Sequence, residues 1–189
     1  LISALVLSAW PWLGTGFLHL DGYMDVTDAV KSYRSLQRRR EILKDSHVGS
    51  FAVIGIVLLI LGQFACFASV PDGADLRILM FVPAVSRCCS ALAVTALPAM
   101  STSQYADRQK PKSHLLVLAV MLGIFLLLGF LLCRREALTL VGVLVGYGVA
   151  LRKGYKSLEG MNGDIAGYAL SIGELCACAA LVLGGALWF

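Results

Sequence analysis

The chain has 189 residues, of which 58% are apolar, a mean hydropathy of +0.79 and a net charge of +4. That composition excludes an ordinary water-soluble domain and predicts an integral membrane protein. The mild positive charge is concentrated in a few segments and does not form a nucleic-acid-binding stripe, so no nucleic-acid partner is expected.

The first apolar run, Leu1–Leu18, has no charged leader and no small-residue cleavage site, so it does not read as a signal peptide. Without an initiating Met, the chain is expected to begin inside a longer protein. A polar segment, 19–48, follows. Further apolar runs cover Gly49–Val70, Ile78–Leu97, Leu115–Cys133, Ala137–Leu151 and Ile165–Phe189. Most approach the roughly 20 residues that cross about 30 Å of hydrocarbon. The run at 137–151 is short, but Arg152 and Lys153 can snorkel to the interface, and Gly142, Gly146 and Ala150 allow close helix packing. The expectation is an all-α transmembrane bundle of about six spans, forming one domain over residues 1–189. A homo-oligomer is left open.

Alternating these spans puts segments 19–48, 98–114 and 152–164 on one face, with twelve of the 16 Lys and Arg residues. The opposite face holds Arg77, Arg134 and Arg135, and Arg87 falls within a span. The positive-inside rule makes the first face cytoplasmic. Cys66, Cys88, Cys89, Cys133, Cys176 and Cys178 all lie in or beside apolar runs, without zinc-ligand or disulfide-framework spacing, and read as small packing residues.

Within the polar segment, Asp21, Asp25 and Asp28 recur at i, i+4 and i+7, which places them within about 60° of one another on a helix. His19 points away from that face. Three clustered carboxylates repel one another and protonate on burial unless a divalent cation sits among them, and hard oxygen donors select magnesium or manganese. Such ions usually act on phosphates. The plainer reading is a solvated interfacial helix. Arg34, Arg38 and Lys44 are candidate phosphate clamps, although Arg38, Arg39 and Arg40 together also suit a lipid-headgroup anchor. Asp45 is a candidate ligand or base, and Asp45 or Ser46 could instead cap the next span. Farther on, Asn162, Gly163 and Asp164 open the last run, where Gly160 and Gly163 would let backbone approach a phosphate and Asp164 either serves the site or caps the helix. Arg87 and Glu174 are the ionisable residues deepest in apolar runs, and serve as a structural pair or in a substrate cavity.

The motif Leu18-His-Leu-Asp-Gly-x-x-Asp-x-x-Asp-Ala29, then Leu43-Lys-Asp-Ser-His-Val-Gly49, then Glu159-Gly-Met-Asn-Gly-Asp-Ile-Ala-Gly167 and Glu174, resembles the cobalamin synthase family, the adenosylcobinamide-GDP ribazoletransferases. The resemblance spans most of the chain. It implies a multi-pass protein of a prokaryotic cytoplasmic membrane with its active site facing the cytoplasm. The implied reaction moves the adenosylcobinamide phosphoryl group from adenosylcobinamide-GDP to alpha-ribazole or its 5′-phosphate, releases GMP and depends on Mg2+. On this reading Asp21, Asp25 and Asp28 hold the metal, Asp28, Asp45 and Asp164 are catalytic, and Arg34, Arg38, Lys44, Ser46, Asn162 and Gly163 bind substrate. The loop Ser101–His114 departs from the family's Ala-Arg and Gly-rich pattern. Two rivals remain. A CDP-alcohol phosphotransferase shares the metal logic but needs Ala-Arg where Met24-Asp25 stands, and a secondary transporter would place its ionisable residues near the midplane in broken helices.

Overall fold

The computed structural model describes residues 1–100 and 112–188; residues 101–111 of the altered loop, with the cations Arg108 and Lys110, lie outside them. The described residues fold into α1 (Ile2–Gly14), α2 (Leu18–Lys31), α3 (Leu36–Ile42), α4 (Ser50–Ala68), a 3-10 turn at Leu76–Met80 leading into α5 (Phe81–Ala96), α6 (Lys112–Leu132), α7 (Leu138–Leu158) and α8 (Gly163–Trp188). The protein is therefore an all-α polytopic membrane protein.

Four of the six expected spans are helices long and apolar enough to cross a bilayer, at Ser50–Ala68, Leu76–Ala96, Ser113–Leu132 and Gly163–Gly185. The other two differ for identifiable reasons. α1 carries Pro11, and the chain then turns at Gly16 and Phe17, both with positive φ, so the first run closes in a turn before α2 begins. α7 runs past the expected end at Leu151 to Leu158, so its 21 residues include Arg152, Lys153 and Lys156 in its last two turns. Its buried face continues unbroken through Ala150, Gly154 and Leu158, which keeps the helix going past its charges.

α8 is the central helix, with 67% of its span buried within the protein, whereas α6 is peripheral, with 6%. The α7–α8 seam rests on small residues: a Cβ at Gly142 would lie 2.6 Å from the Cys176 carbonyl, and one at Gly146 would lie 2.6 Å from the Cys176 Cβ. Two backbones at this distance maximise van der Waals contact where lipid supplies no hydrophobic drive. All six cysteines are free thiols.

Two short connections close the end of the bundle that holds α2 and α3. Residues 98–100 run beside Met161, with the Met100 N–H donating to the Met161 carbonyl (2.9 Å) and the Met161 N–H to the Pro98 carbonyl (2.9 Å). Gly160 is needed there, because a Cβ would meet the Met100 Cα at 2.9 Å. Arg39 Nη1 donates to the Ser157 carbonyl (3.0 Å), and Arg40 donates from Nε to Leu158 (3.0 Å) and from Nη2 to Glu159 (2.8 Å). Two arginines thus satisfy the orphan carbonyls at the α7 C-terminus and tie α3 to it.

Candidate active site

α2 forms as the spacing predicts and carries Asp21, Asp25 and Asp28 on one stripe, while Val26, Thr27 and Ala29 turn into the core. The helix is positioned by contact on two sides. Against α8, a Cβ on Gly22 would come within 2.9 Å of the Asp164 Cα and carbonyl oxygen, and Tyr23 stacks on Tyr168 with ring centroids 5.6 Å apart. Against α4, the Tyr23 hydroxyl donates to the Gly55 carbonyl (3.2 Å). Asp164, distant in sequence, is therefore brought to the acidic helix because Gly22 has no side chain.

The carboxylates share one electrostatic environment. Asp25 is half-buried, and burial pushes its carboxyl up to about 6, with the charges of Asp21, Asp164 and Asp28 adding to the rise. Asp21, Asp25 and Asp28 line a cleft of about 30 Å3 with Met24, His47 and Gly49. The Asp28 carboxylate lies where any side chain at position 49 would project, against the N-terminus of α4, a favourable place for negative charge. Among the described residues, no three acidic, His or Cys side chains converge closely enough to grip a cation as they stand. The donor set nevertheless fits a hard divalent ion in charge and chemistry: oxygen donors only, with mutual repulsion already visible at Asp25.

Asp45 is not the cap of α4; that position is Gly49. Asp45 instead accepts from His47 twice on Oδ1, from its backbone N–H (3.0 Å) and its ring Nδ1 (2.6 Å), and this bonding holds its carboxyl below the usual carboxylate range. Ser46 is exposed beside this turn. His47, not singled out from the sequence, lines the acidic cleft together with Val48 from this loop; the signal for it was its place between Lys44-Asp45-Ser46 and the span.

The α8 cap is Asn162, not Asp164. The Asn162 Oδ1 accepts from the Ile165 N–H (3.0 Å), and its Nδ2 donates to the Asp164 Oδ2 (2.6 Å). One side chain therefore starts the helix and aims the carboxylate. Gly163 follows as the first helical residue. Replacing Asn162 by Ala should cost about 1 kcal/mol of stability through the lost cap. Replacing it by Ser keeps a cap but removes the Asp164 donor, and should leave the melting temperature near wild type while lowering turnover about tenfold.

The basic candidates lie farther out. Arg34 is exposed, and its carbonyl accepts from Arg39 Nε (2.7 Å); Arg38 pairs with Glu41 across solvent (2.7 Å); Lys44 is exposed beside Arg40 and Glu41. The structure does not bring these three into the aspartate cleft. Arg87 and Glu174 do form a pair, at 2.8 Å, and also border a cavity.

The family model described as cobalamin-5-phosphate synthase matches residues 1–182. The chain belongs to the cobalamin-5-phosphate synthase family. Its similar curated proteins include an adenosylcobinamide-GDP ribazoletransferase of Clostridium perfringens (strain SM101 / Type A), 37% identical over 179 residues covering 92% of this chain and 71% of that protein. The protein of that name from Lachnoclostridium phytofermentans is 33% identical over 189 residues, covering 97% of this chain and 72% of that one. The one from Clostridium botulinum (strain Alaska E43 / Type E3) is 33% identical, covering 92% and 70%. No solved structure matches the chain. Membership in the cobalamin-5-phosphate synthase family leaves neither the CDP-alcohol phosphotransferase nor the transporter reading favoured.

Proposed function

We propose that this chain is an adenosylcobinamide-GDP ribazoletransferase that uses Mg2+ at the carboxylate face of α2, turned toward the cytoplasm. The observation that carries the site is the approach of Asp164 to the acidic helix across the Gly22 crossing, which leaves the half-buried Asp25 under the charges of Asp21, Asp28 and Asp164, an arrangement that a bound cation would relieve. The substrates are adenosylcobinamide-GDP and alpha-ribazole or its 5′-phosphate.

In the reaction, a ribose hydroxyl oxygen attacks the phosphorus attached to cobinamide, the bond from that phosphorus to the bridging oxygen breaks, and GMP leaves with the bridging oxygen. When bound, Mg2+ neutralises charge on the pyrophosphate oxygens. Asp21, Asp25 and Asp28 would hold it, drawn together by side-chain rotation, with Asp164 completing the set from α8. Asp45 orients His47: with Nδ1–H donating to Asp45, Nε2 is left as an acceptor for the proton of the attacking hydroxyl. Arg34, Arg38 and Lys44 supply a positive rim that attracts the phosphorylated substrates.

Purified protein in lipid nanodiscs should convert adenosylcobinamide-GDP and alpha-ribazole to product and GMP with Mg2+, and stop when EDTA is added. Turnover that persists after metal removal would refute the metal assignment; none under any condition would refute the activity. Orientation is tested separately. With the six native cysteines replaced, Gln37→Cys and Lys156→Cys should resist an impermeant maleimide in intact cells while Asp72→Cys reacts, because the Lys- and Arg-rich segments stay in the cytoplasm.

A further inference from the structure

A cavity of about 500 Å3 opens among α1, α4, α5 and α8, separate from the carboxylate cleft. Its walls are apolar and partly aromatic, with Trp10, Phe67 and Pro83 among them, and polar groups stand at the inner side: Gln63, Arg87 and Glu174. These lie deep. Glu174 follows Asp164 by ten residues, about 15 Å along α8, near the middle of a bilayer. Charged groups there are costly, and in membrane proteins they usually mark function.

The hydrogen bonding of these groups is incomplete in a directed way. Gln63 is 2% exposed; its Nε2 donates to the Ser8 carbonyl (3.4 Å), while its Oε1 is buried with no partner. Leaving a buried acceptor unpaired is costly, so it calls for a donor. Among the described residues, Arg87 bonds to Glu174, Ser86 and the Pro83 carbonyl through Nη1. Glu174 receives both Arg87 and Ser86 on Oε1. Among the described residues, Arg87 Nη2 and Nε and Glu174 Oε2 make no hydrogen bond, so they can serve a molecule in the cavity. Because Arg87 and Glu174 cancel in charge, the cavity gives no net attraction to a phosphate. It suits an uncharged body with a flat apolar part, at least one hydroxyl and one acceptor.

We propose that this cavity receives the base and adjoining ribose of the acceptor nucleoside, leaving the pyrophosphate donor to the carboxylate face. The inference rests on the transferase reading above. His19 lies between the two sites along α8: it packs against Gly167, its carbonyl accepts from the Ser171 hydroxyl (3.3 Å), and it precedes Asp21 by two residues. The flat base lies between Trp10, Phe67 and Pro83, Arg87 donates to its ring nitrogen, and a ribose hydroxyl donates to Gln63 Oε1. The reacting hydroxyl then projects along His19 toward Asp21.

The test is a pair of variants in nanodiscs, Gln63→Leu, which removes the acceptor at similar volume, and Trp10→Ala on the exposed rim, which leaves the packed core alone. Binding of alpha-ribazole is read by its own fluorescence without donor, and steady-state KM values are measured for both substrates. Each variant should weaken alpha-ribazole binding and raise its KM about tenfold while the KM for adenosylcobinamide-GDP stays within twofold. Wild-type turnover with an unchanged acceptor KM in both variants would overturn the cavity assignment and spare the transferase reading; wild-type inactivity would strike the transferase reading itself. If native mass spectrometry finds a phospholipid that Gln63→Leu releases while alpha-ribazole binding is unaltered, the cavity belongs to lipid and the proposal fails.

Discussion

Replacing Asp25 by Asn is expected to lower turnover roughly a thousandfold while making the metal-free protein more stable. The two effects have one cause. Asp25 is half-buried among three other carboxylates, which pushes its carboxyl up to about 6, well above the usual carboxylate range. A carboxyl whose pKa is raised on folding favours the folded state fully below pH 4, and that contribution is lost as pH rises through 6. The unscreened penalty is about 3 kcal/mol; solvent around this half-exposed group reduces it to about 1–2 kcal/mol. In EDTA, the wild-type melting temperature should therefore fall between pH 4 and 7, and Asn at position 25 should flatten that fall. Magnesium should restore stability to the wild type above pH 6 and do much less for the variant. Turnover of Asp25→Asn within a few-fold of wild type, with normal membrane insertion, would contradict the assignment, as would a pH dependence identical in the two proteins.

Gly22→Val should be nearly as damaging, although Gly22 bears no chemistry. A Cβ there meets the Asp164 Cα and carbonyl oxygen at 2.9 Å, and these are backbone atoms that no rotamer change can move aside. α2 must shift away from α8, which separates Asp164 from the other carboxylates and loosens the Tyr23–Tyr168 stack. The expected stability loss is about 1–3 kcal/mol, as for other overpacked contacts. Turnover should drop more than a hundredfold, because a displacement near 1 Å at a reacting centre is enough for that. Gly148→Val, whose Cβ would meet nothing within 4 Å, is the matched control and should behave as wild type. Comparable turnover in Gly22→Val and Gly148→Val would show that Asp164 acts independently of the acidic helix.

The acidic stripe was legible because it is a local property: 3.6 residues per turn put positions 21, 25 and 28 together before any tertiary contact forms. The roles of Arg39, Arg40 and Asn162 were not. Each depends on which orphan backbone group happens to face it, a carbonyl at the end of α7 or an N–H at the start of α8, and sequence spacing carries no information on that. For the same reason Asp164 could be read as a cap, although the residue two places earlier holds that position. His47 escaped notice because a lone histidine in a loop has no periodicity; only the return of the loop toward α2 places it on the acidic cleft.

Hydropathy and helical period, set by residue type and order alone, were enough to establish an all-α membrane protein with a polar acidic helix among apolar runs. Packing between helices settled which glycines are contacts rather than hinges, that Asp164 crosses at Gly22, that Arg87 meets Glu174 at the wall of a cavity, and that the first apolar run ends in a turn at Gly16 and Phe17. Those outcomes depend on how one helix settles against another, where distances of a few tenths of an ångström between residues far apart in the chain separate a close fit from a collision.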